Sequence, residues 1–250
     1  MSKFKSAKIN SQTNREMTND IQEPATKEQV QWTETKALLG NDRLLLGPYF
    51  SYQFRNSPRR ILHALSYHKF AAKMIGTGKR ILEVGCSEGL GTLILGEFAT
   101  ECLGVDIDAD AIAVANETIA SAKLQFRHAD IIGGSFGKYD AVASFDVIEH
   151  IFPENEESFL SAVTGNLIDG GMFVVGTPNI TSDQYASPVT RAGHINLYSA
   201  DRLRESLAHH FKTVLMFSAN DEIVHTGFAP MAHYLIGIGI SPNRSPSIGH

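Results

Sequence analysis

An α/β fold, a mostly parallel sheet with helices on both faces, is what the sequence predicts. Three observations carry that prediction. Short apolar runs suited to strands buried on both faces recur at residues 80–84, 102–106 and 139–146. Helical patterns follow the first two of them, at residues 92–98 and 109–122. A glycine-rich turn, Gly85-Cys86-Ser87-Glu88-Gly89-Leu90-Gly91, joins the first run to the first helix. Such a turn presents amide donors and a helix N-terminus at the carboxyl edge of a sheet, where ligands of open α/β sheets sit.

Taken in order, residues 1–30 are polar with few apolar anchors and read as a mobile tail. Residues 31–78 read as an N-terminal helical cap. Trp32 begins it, and Leu38-Leu39 and Leu44-Leu45-Leu46 are expected to cover part of a core. An aromatic segment, Tyr49 to Phe54, precedes a helix starting at Pro58, on which Ile61, Leu62, Leu65, Phe70 and Met74 share a face. Residues 79–240 form the main domain. Its third strand is expected at 124–130, a helix at 155–167, and a fifth strand at 172–176 after the turn Asp169-Gly170-Gly171. Ser199 caps a helix over 199–210. Residues 214–217 and 231–240 complete seven strands, as an antiparallel hairpin at the sheet edge. Residues 241–250 read as a loose end.

Composition bounds the function. The 250 residues, 43% of them hydrophobic, suffice for one well-cored domain with appendages. A net charge of −5, without a basic stripe interleaved with aromatics, argues against nucleic acid as the main partner. Cys86 and Cys102 lack metal-like spacing, which points to a reducing compartment. No basic-then-apolar leader and no long apolar run appear, so a cytoplasmic protein without a membrane partner is expected.

Spacing narrows the ligand. A dinucleotide fingerprint has glycines in G-x-G-x-x-G order. Here the first two glycines, Gly85 and Gly89, stand four apart, and Glu83 precedes Gly85 by two. Asp106 ends the second strand, 21 residues after Gly85, near the offset at which an acid reaches ribose hydroxyls. The alternative is a simple strand-end acid. Asp130 ends the third strand and is either a ligand contact or a turn former ahead of Gly133-Gly134.

With LEVGCSEGLG, GVDID, HAD and FDVIEHI in this order, the chain resembles class I S-adenosylmethionine (SAM) methyltransferases over residues 79–218. The nearest likeness is the branch with the ubiquinone-biosynthesis O-methyltransferases and many small-molecule and sugar methyltransferases. The resemblance implies a Rossmann-like fold and cofactor contacts at Glu83, Gly85, Cys86, Ser87, Gly89, Asp106, Ile107, Ala129, Asp130 and Phe145. Tyr49, Tyr52 and Gln53 become candidates for a cofactor lid, or else pack a helical cap onto the sheet. In the ubiquinone-type branch an acid-x-x-Glu-His stretch is associated with divalent metal. Asp146, Glu149 and His150 match it with Asp for the usual Glu, and would share a face if the segment is one helical turn. They would hold Mg²⁺ or another divalent cation. His150 otherwise serves as a metal-free base, or the stretch is a polar turn.

His194 is the second candidate base, with a loop-bracing role as its alternative. Arg191, and less so Arg59 and Arg60, are candidates for an anionic group of the acceptor. The expected reaction is methyl transfer from SAM to a small-molecule acceptor, at a hydroxyl. A sugar or glycan precursor is favoured because the TPN and HINLYS stretches are similar to methyltransferases of that kind. N- or C-methylation, an NAD-dependent oxidoreductase and a non-catalytic SAM-binding subunit are the rivals. A monomer or homodimer is expected.

Overall fold

The polypeptide is described by a computed structural model that covers residues 25–41 and 43–244. Residues 1–24 of the expected tail and 245–250 of the expected loose end lie outside the described residues. The chain divides between Arg43 and Leu44 into two units. In the first, helix α1 (Lys27–Leu38) opens with a capping box in which Thr26 and Gln29 bond each other's backbone amides. No residue of α1 is buried, and Trp32 and Leu38 are 56% and 86% exposed. The expectation that Leu38-Leu39 cover part of a core is therefore corrected. Helix α1 takes in residues 27–30, the last four of the expected tail, because its cap supplies a local start.

The second unit begins with α2 (Pro48–Asn56) and α3 (Pro58–Ile75), each with proline at its first position, where the missing amide removes no helical bond. The chain then alternates: β1 (Arg80–Val84), α4 (Leu90–Phe98), β2 (Glu101–Asp106), α5 (Ala109–Thr118) and β3 (Leu124–His128). There follow β4 (Tyr139–Phe145), α6 (Glu156–Gly165), β5 (Leu167–Pro178), α7 (Pro188–Gly193) and α8 (Ala200–His210). The chain closes with β6 (Phe211–Asn220), β7 (Ile223–His225) and β8 (Tyr234–Pro242).

The strands form one sheet in the order β3-β2-β1-β4-β5-β8-β6-β7. The first five run parallel, while β8 is antiparallel to both β5 and β6. Seven strands were expected and eight are present among the described residues. The extra strand is β7, three residues long and too short to register as a pattern. The expected antiparallel pair at this end of the sheet is β6 and β8, with β8 on its inner side between β5 and β6. Burial explains its place, since Leu235, Ile236 and Ile238 are fully enclosed and an edge would leave them wet.

Two hydrophobic layers hold the sheet. On one face Ala71 and Ala72 of α3, Leu95 of α4 and Ile112 of α5 pack on Ile81, Ala141 and Ile236. On the other, Phe159 and Leu160 of α6 and Leu203 and Leu207 of α8 pack on Leu82, Val142, Phe173 and Leu235. The chain crosses from one side of β1 to the other between β3 and β4. This switch point opens a crevice at the carboxyl ends of the strands. Among the described residues, no helix is long and apolar enough to cross a membrane.

Candidate active site

A cavity of about 460 Å³ lies in that crevice. Gly85, Cys86 and Ser87 of the turn after β1 form its floor, with Glu83 behind them. Gly85 has a φ of +78° and a Cβ there would stand 2.1 Å from Val147, so glycine is required. Asp106 and Ile107 line the cavity from β2, Ala129 and Asp130 from β3, and Phe145, Asp146 and His150 from β4 onward. Tyr49 reaches it from α2.

Three of the expected cofactor residues stand outside this lining. Gly89 is the α4 N-cap, in a left-handed conformation. Tyr52 is 63% exposed, and Gln53 is buried in α2. From α2, Tyr49 and Phe50 line the cavity and Tyr52 does not.

The acids of the cleft are held differently. Asp106 accepts the Ser87 amide on one oxygen and the Asp108 amide on the other, each at 2.8 Å, with lone pairs left for a diol. Asp130 accepts the Ile132 amide at 2.8 Å and is exposed. Glu83 is instead satisfied from within. His68 Nε2 lies 2.8 Å from one of its oxygens, and the Thr92 hydroxyl donates to the other. Burial opposes a charge on His68, but the hydrogen bond and charge of Glu83 outweigh it and raise its pKa. Gly91 leaves the space: a Cβ there would lie 2.1 Å from His68 Nε2.

Sequence reasoning missed His68, Thr92 and Glu88. His68 carried a signal, a histidine seven residues after Ile61 and four before Ala72 on the buried face of α3. Glu88, only 4% exposed, accepts the backbone amides of Tyr49 and Phe50 at 2.7 and 3.1 Å. It binds the N-terminus of α2 to the glycine turn. No sequence pattern links residues 39 positions apart.

The expected Asp146, Glu149, His150 constellation forms only in part. Asp146 has a φ of +55°, and helical geometry begins only at Ile148, so its side chain leaves the other two. Instead Glu149 and His150 meet His194, with one donor atom from each within 4.8 Å of the others. The imidazoles of His150 and His194 lie 5.0 Å apart, edge to face. His150 Nδ1 is 2.8 Å from the Gly193 carbonyl, which leaves Nε2 free to accept a proton. Burial, and then the neighbouring His150, lower the pKa of His194. Glu149 is fully buried; burial, and then Asp146, push its pKa well above the usual carboxylate range. Thr177 donates to its Oε2 at 3.0 Å, and its Oε1 has no hydrogen-bond partner among the described residues.

His194 borders a second cavity of about 320 Å³, with Arg60, Asn179, Asp183, Tyr185 and Thr190 among its lining residues. The histidine pair thus stands between the two cavities. Arg191 lines neither cavity, and its guanidinium donates to the Asp183 and Gln184 carbonyls at 3.2 and 3.0 Å. The TPN and HINLYS stretches brace this region. Asn179 donates to the Ala229 and Ala232 carbonyls, and the Ile195 and Asn196 amides donate to the Glu149 carbonyl. Glu156, unremarked in sequence, gathers Tyr198, Arg202 and Ser206 at 2.7 Å and Asn196 at 3.1 Å.

The chain is similar to known proteins in sequence and in fold. Residues 53–210 match the family described as the methyltransferase domain. Over 124 residues the chain is 30% identical to a probable S-adenosylmethionine-dependent methyltransferase of Mycolicibacterium smegmatis, covering 47% of this chain and 44% of that protein. Over 165 residues it is 26% identical to a ubiquinone biosynthesis O-methyltransferase of Xanthomonas campestris pv. campestris, covering 63% of this chain and 66% of that one. The matches thus span about half to two-thirds of the length of these curated relatives. In fold the chain is similar to the N-methyltransferase NodS from Bradyrhizobium japonicum WM9 in complex with S-adenosyl-L-homocysteine. The TM-score is 0.53 at 18% identity, over 85% of this chain and 98% of that one. Since the family match covers more than half of the chain and coincides with the strands that build the crevice, the chain belongs to the class I SAM-dependent methyltransferases.

Proposed function

We propose that the protein transfers a methyl group from SAM to a hydroxyl of a small-molecule acceptor. The observation that carries this reading is the pair of cavities meeting at His150 and His194. In the larger, Asp106 would take the ribose hydroxyls and Asp130 the adenine amino group, with close backbone approach along Gly85 to Ser87; their place in the cavity lining supports this reading. The cofactor supplies an activated methyl on a sulfonium, with a neutral thioether as leaving group. The chain's part is alignment, exclusion of water and removal of the acceptor proton. An imidazole nitrogen of the histidine pair takes that proton as the acceptor oxygen bonds to the methyl carbon. The lowered pKa of His194 keeps it in the neutral, accepting form at neutral pH. In the smaller cavity Ser182, Tyr185, Ser187 and Thr190 offer hydroxyls to a hydroxyl-rich ring, which favours a sugar or glycan precursor.

A second reading is favoured by one atom. Glu149 Oε1 is buried and unpartnered beside two imidazoles, and one carboxylate with two imidazoles is a donor set that suits a divalent cation. Glu149, His150 and His194 would hold it, in place of the expected set with Asp146. Such a cation would lower the pKa of a bound hydroxyl.

Incubation with SAM and a pool of hydroxylated acceptors, with S-adenosylhomocysteine release as the readout, tests both. Release that falls in His150→Ala and His194→Ala and is indifferent to chelator supports the metal-free base. Loss on chelation, restored by Mg²⁺, supports the cation. Release unaffected by either histidine change refutes O-methylation through this pair and favours an N- or C-acceptor.

A further inference from the structure

The acids of the larger cavity are strung along the sheet edge in strand order. Asp130 follows β3, Asp106 ends β2, the glycine turn follows β1, and Asp146 follows β4. Neighbouring strands lie about 4.8 Å apart, so this row spans about 14 Å. If the proposed cofactor lies with its base at Asp130 and its ribose at Asp106, its sulfur points toward β4. Asp146 is the acid waiting there.

Its setting differs from that of every other acid nearby. Glu83 is satisfied by His68 and Thr92, and Glu149 does not line the cavity. Asp146 lines it and makes no ion pair among the described residues. Its backbone is fixed in a left-handed conformation, φ +55°, and its amide donates to the Gly176 carbonyl at 3.1 Å. Non-glycine residues in that conformation concentrate where the fold needs a side chain in one direction. Burial raises the pKa of Asp146, and the Tyr234 hydroxyl, His68, Arg60 and His194 oppose that rise and favour its charged form. Tyr234 itself is held by stacking on Tyr67, ring centres 4.3 Å apart.

We propose that Asp146 is a charge selector for the methyl donor, holding the cationic sulfonium and releasing the neutral thioether product. The inference rests on the SAM reading above. SAM and S-adenosylhomocysteine share the adenosine and amino-acid groups and differ at the sulfur, by one methyl and one positive charge. A carboxylate beside the sulfur acts on that difference, while Asp106 and Asp130 hold both ligands alike. Arg60 and His68 temper the carboxylate without neutralising it through a direct pair. The consequence is a site that exchanges spent cofactor for fresh.

Calorimetric titration of the full chain with SAM, S-adenosylhomocysteine and sinefungin, whose amine replaces the methylsulfonium, tests this. Asp146→Asn is the informative variant, because asparagine keeps the shape and tolerates the left-handed backbone. The expected result is a fall of about tenfold or more in affinity for SAM and sinefungin. Affinity for S-adenosylhomocysteine should stay unchanged. Asp146→Gly, also compatible with φ +55°, should reproduce that pattern and guards against a folding defect of the first variant. Equal losses for all three ligands, or no loss for any, would overturn the inference while leaving the SAM reading standing. Wild-type protein that binds none of the three would overturn the SAM reading, and the inference with it.

Discussion

Replacing Glu88 with alanine should unfasten helix α2 from the glycine turn. The carboxylate is 4% exposed and accepts two backbone amides, Tyr49 at 2.7 Å and Phe50 at 3.1 Å. A hydrogen bond to a charged group contributes about 1.5–3 kcal/mol. An anion at a helix N-terminus contributes about 0.3–1 kcal/mol, which overlaps with those bonds and is not added to them. Water can reach the freed amides in part, so a loss of about 2–4 kcal/mol in the anchoring of α2 is expected. Native-state hydrogen exchange reads that loss directly. Amides in the C-terminal half of α2 should exchange about 30-fold to several hundred-fold faster, while those of α8 stay at the wild-type rate. Because Tyr49 and Phe50 line the larger cavity, affinity for S-adenosylhomocysteine should fall with it. Glu88→Gln, which keeps an acceptor oxygen but no charge, should fall between. Unchanged exchange in α2 of Glu88→Ala would refute the clamp.

Two further predictions concern the scaffold. His68→Leu leaves Glu83 buried with one partner fewer and should destabilise the fold by about 3–5 kcal/mol in urea unfolding, with part of the loss recovered on adding Glu83→Leu. Glu156 has its pKa lowered, because its four donors outweigh the opposing effect of burial. A carboxyl with a folded value below its ordinary 4.5 contributes stability above that pH and loses it as pH falls through the folded value. Glu156→Gln should therefore flatten the acid limb of the stability profile measured by denaturant titration, with little change in the slope near neutrality.

Much of the sheet was legible because its signals are local. The glycine turn, Asp106 at a strand end and the cap at Ser199 depend on neighbours within a few residues. What was not legible depends on distant partners. Nothing near residues 234–242 says that this strand enters between β5 and β6. The Asp146, Glu149, His150 expectation assumed one helical turn, and the left-handed backbone at Asp146 broke it. The same backbone turned Asp146 toward the cavity and let His194, 44 residues beyond His150, take its place beside Glu149. Asn179 and Asn196 drew notice through the TPN and HINLYS stretches, yet both serve as braces: Asn179 donates to the Ala229 and Ala232 carbonyls, and Asn196 bonds the side chains of Glu156, Tyr198 and Arg202.

The most direct measurement is a calorimetric titration of S-adenosylhomocysteine into the full chain and into its Asp106→Ala variant. Micromolar binding by the wild-type chain, weakened by about tenfold or more in the variant, is the predicted result. A folded wild-type protein that takes up neither S-adenosylhomocysteine nor SAM, or a variant that binds as tightly as the wild type, would contradict the placement of the cofactor in this crevice.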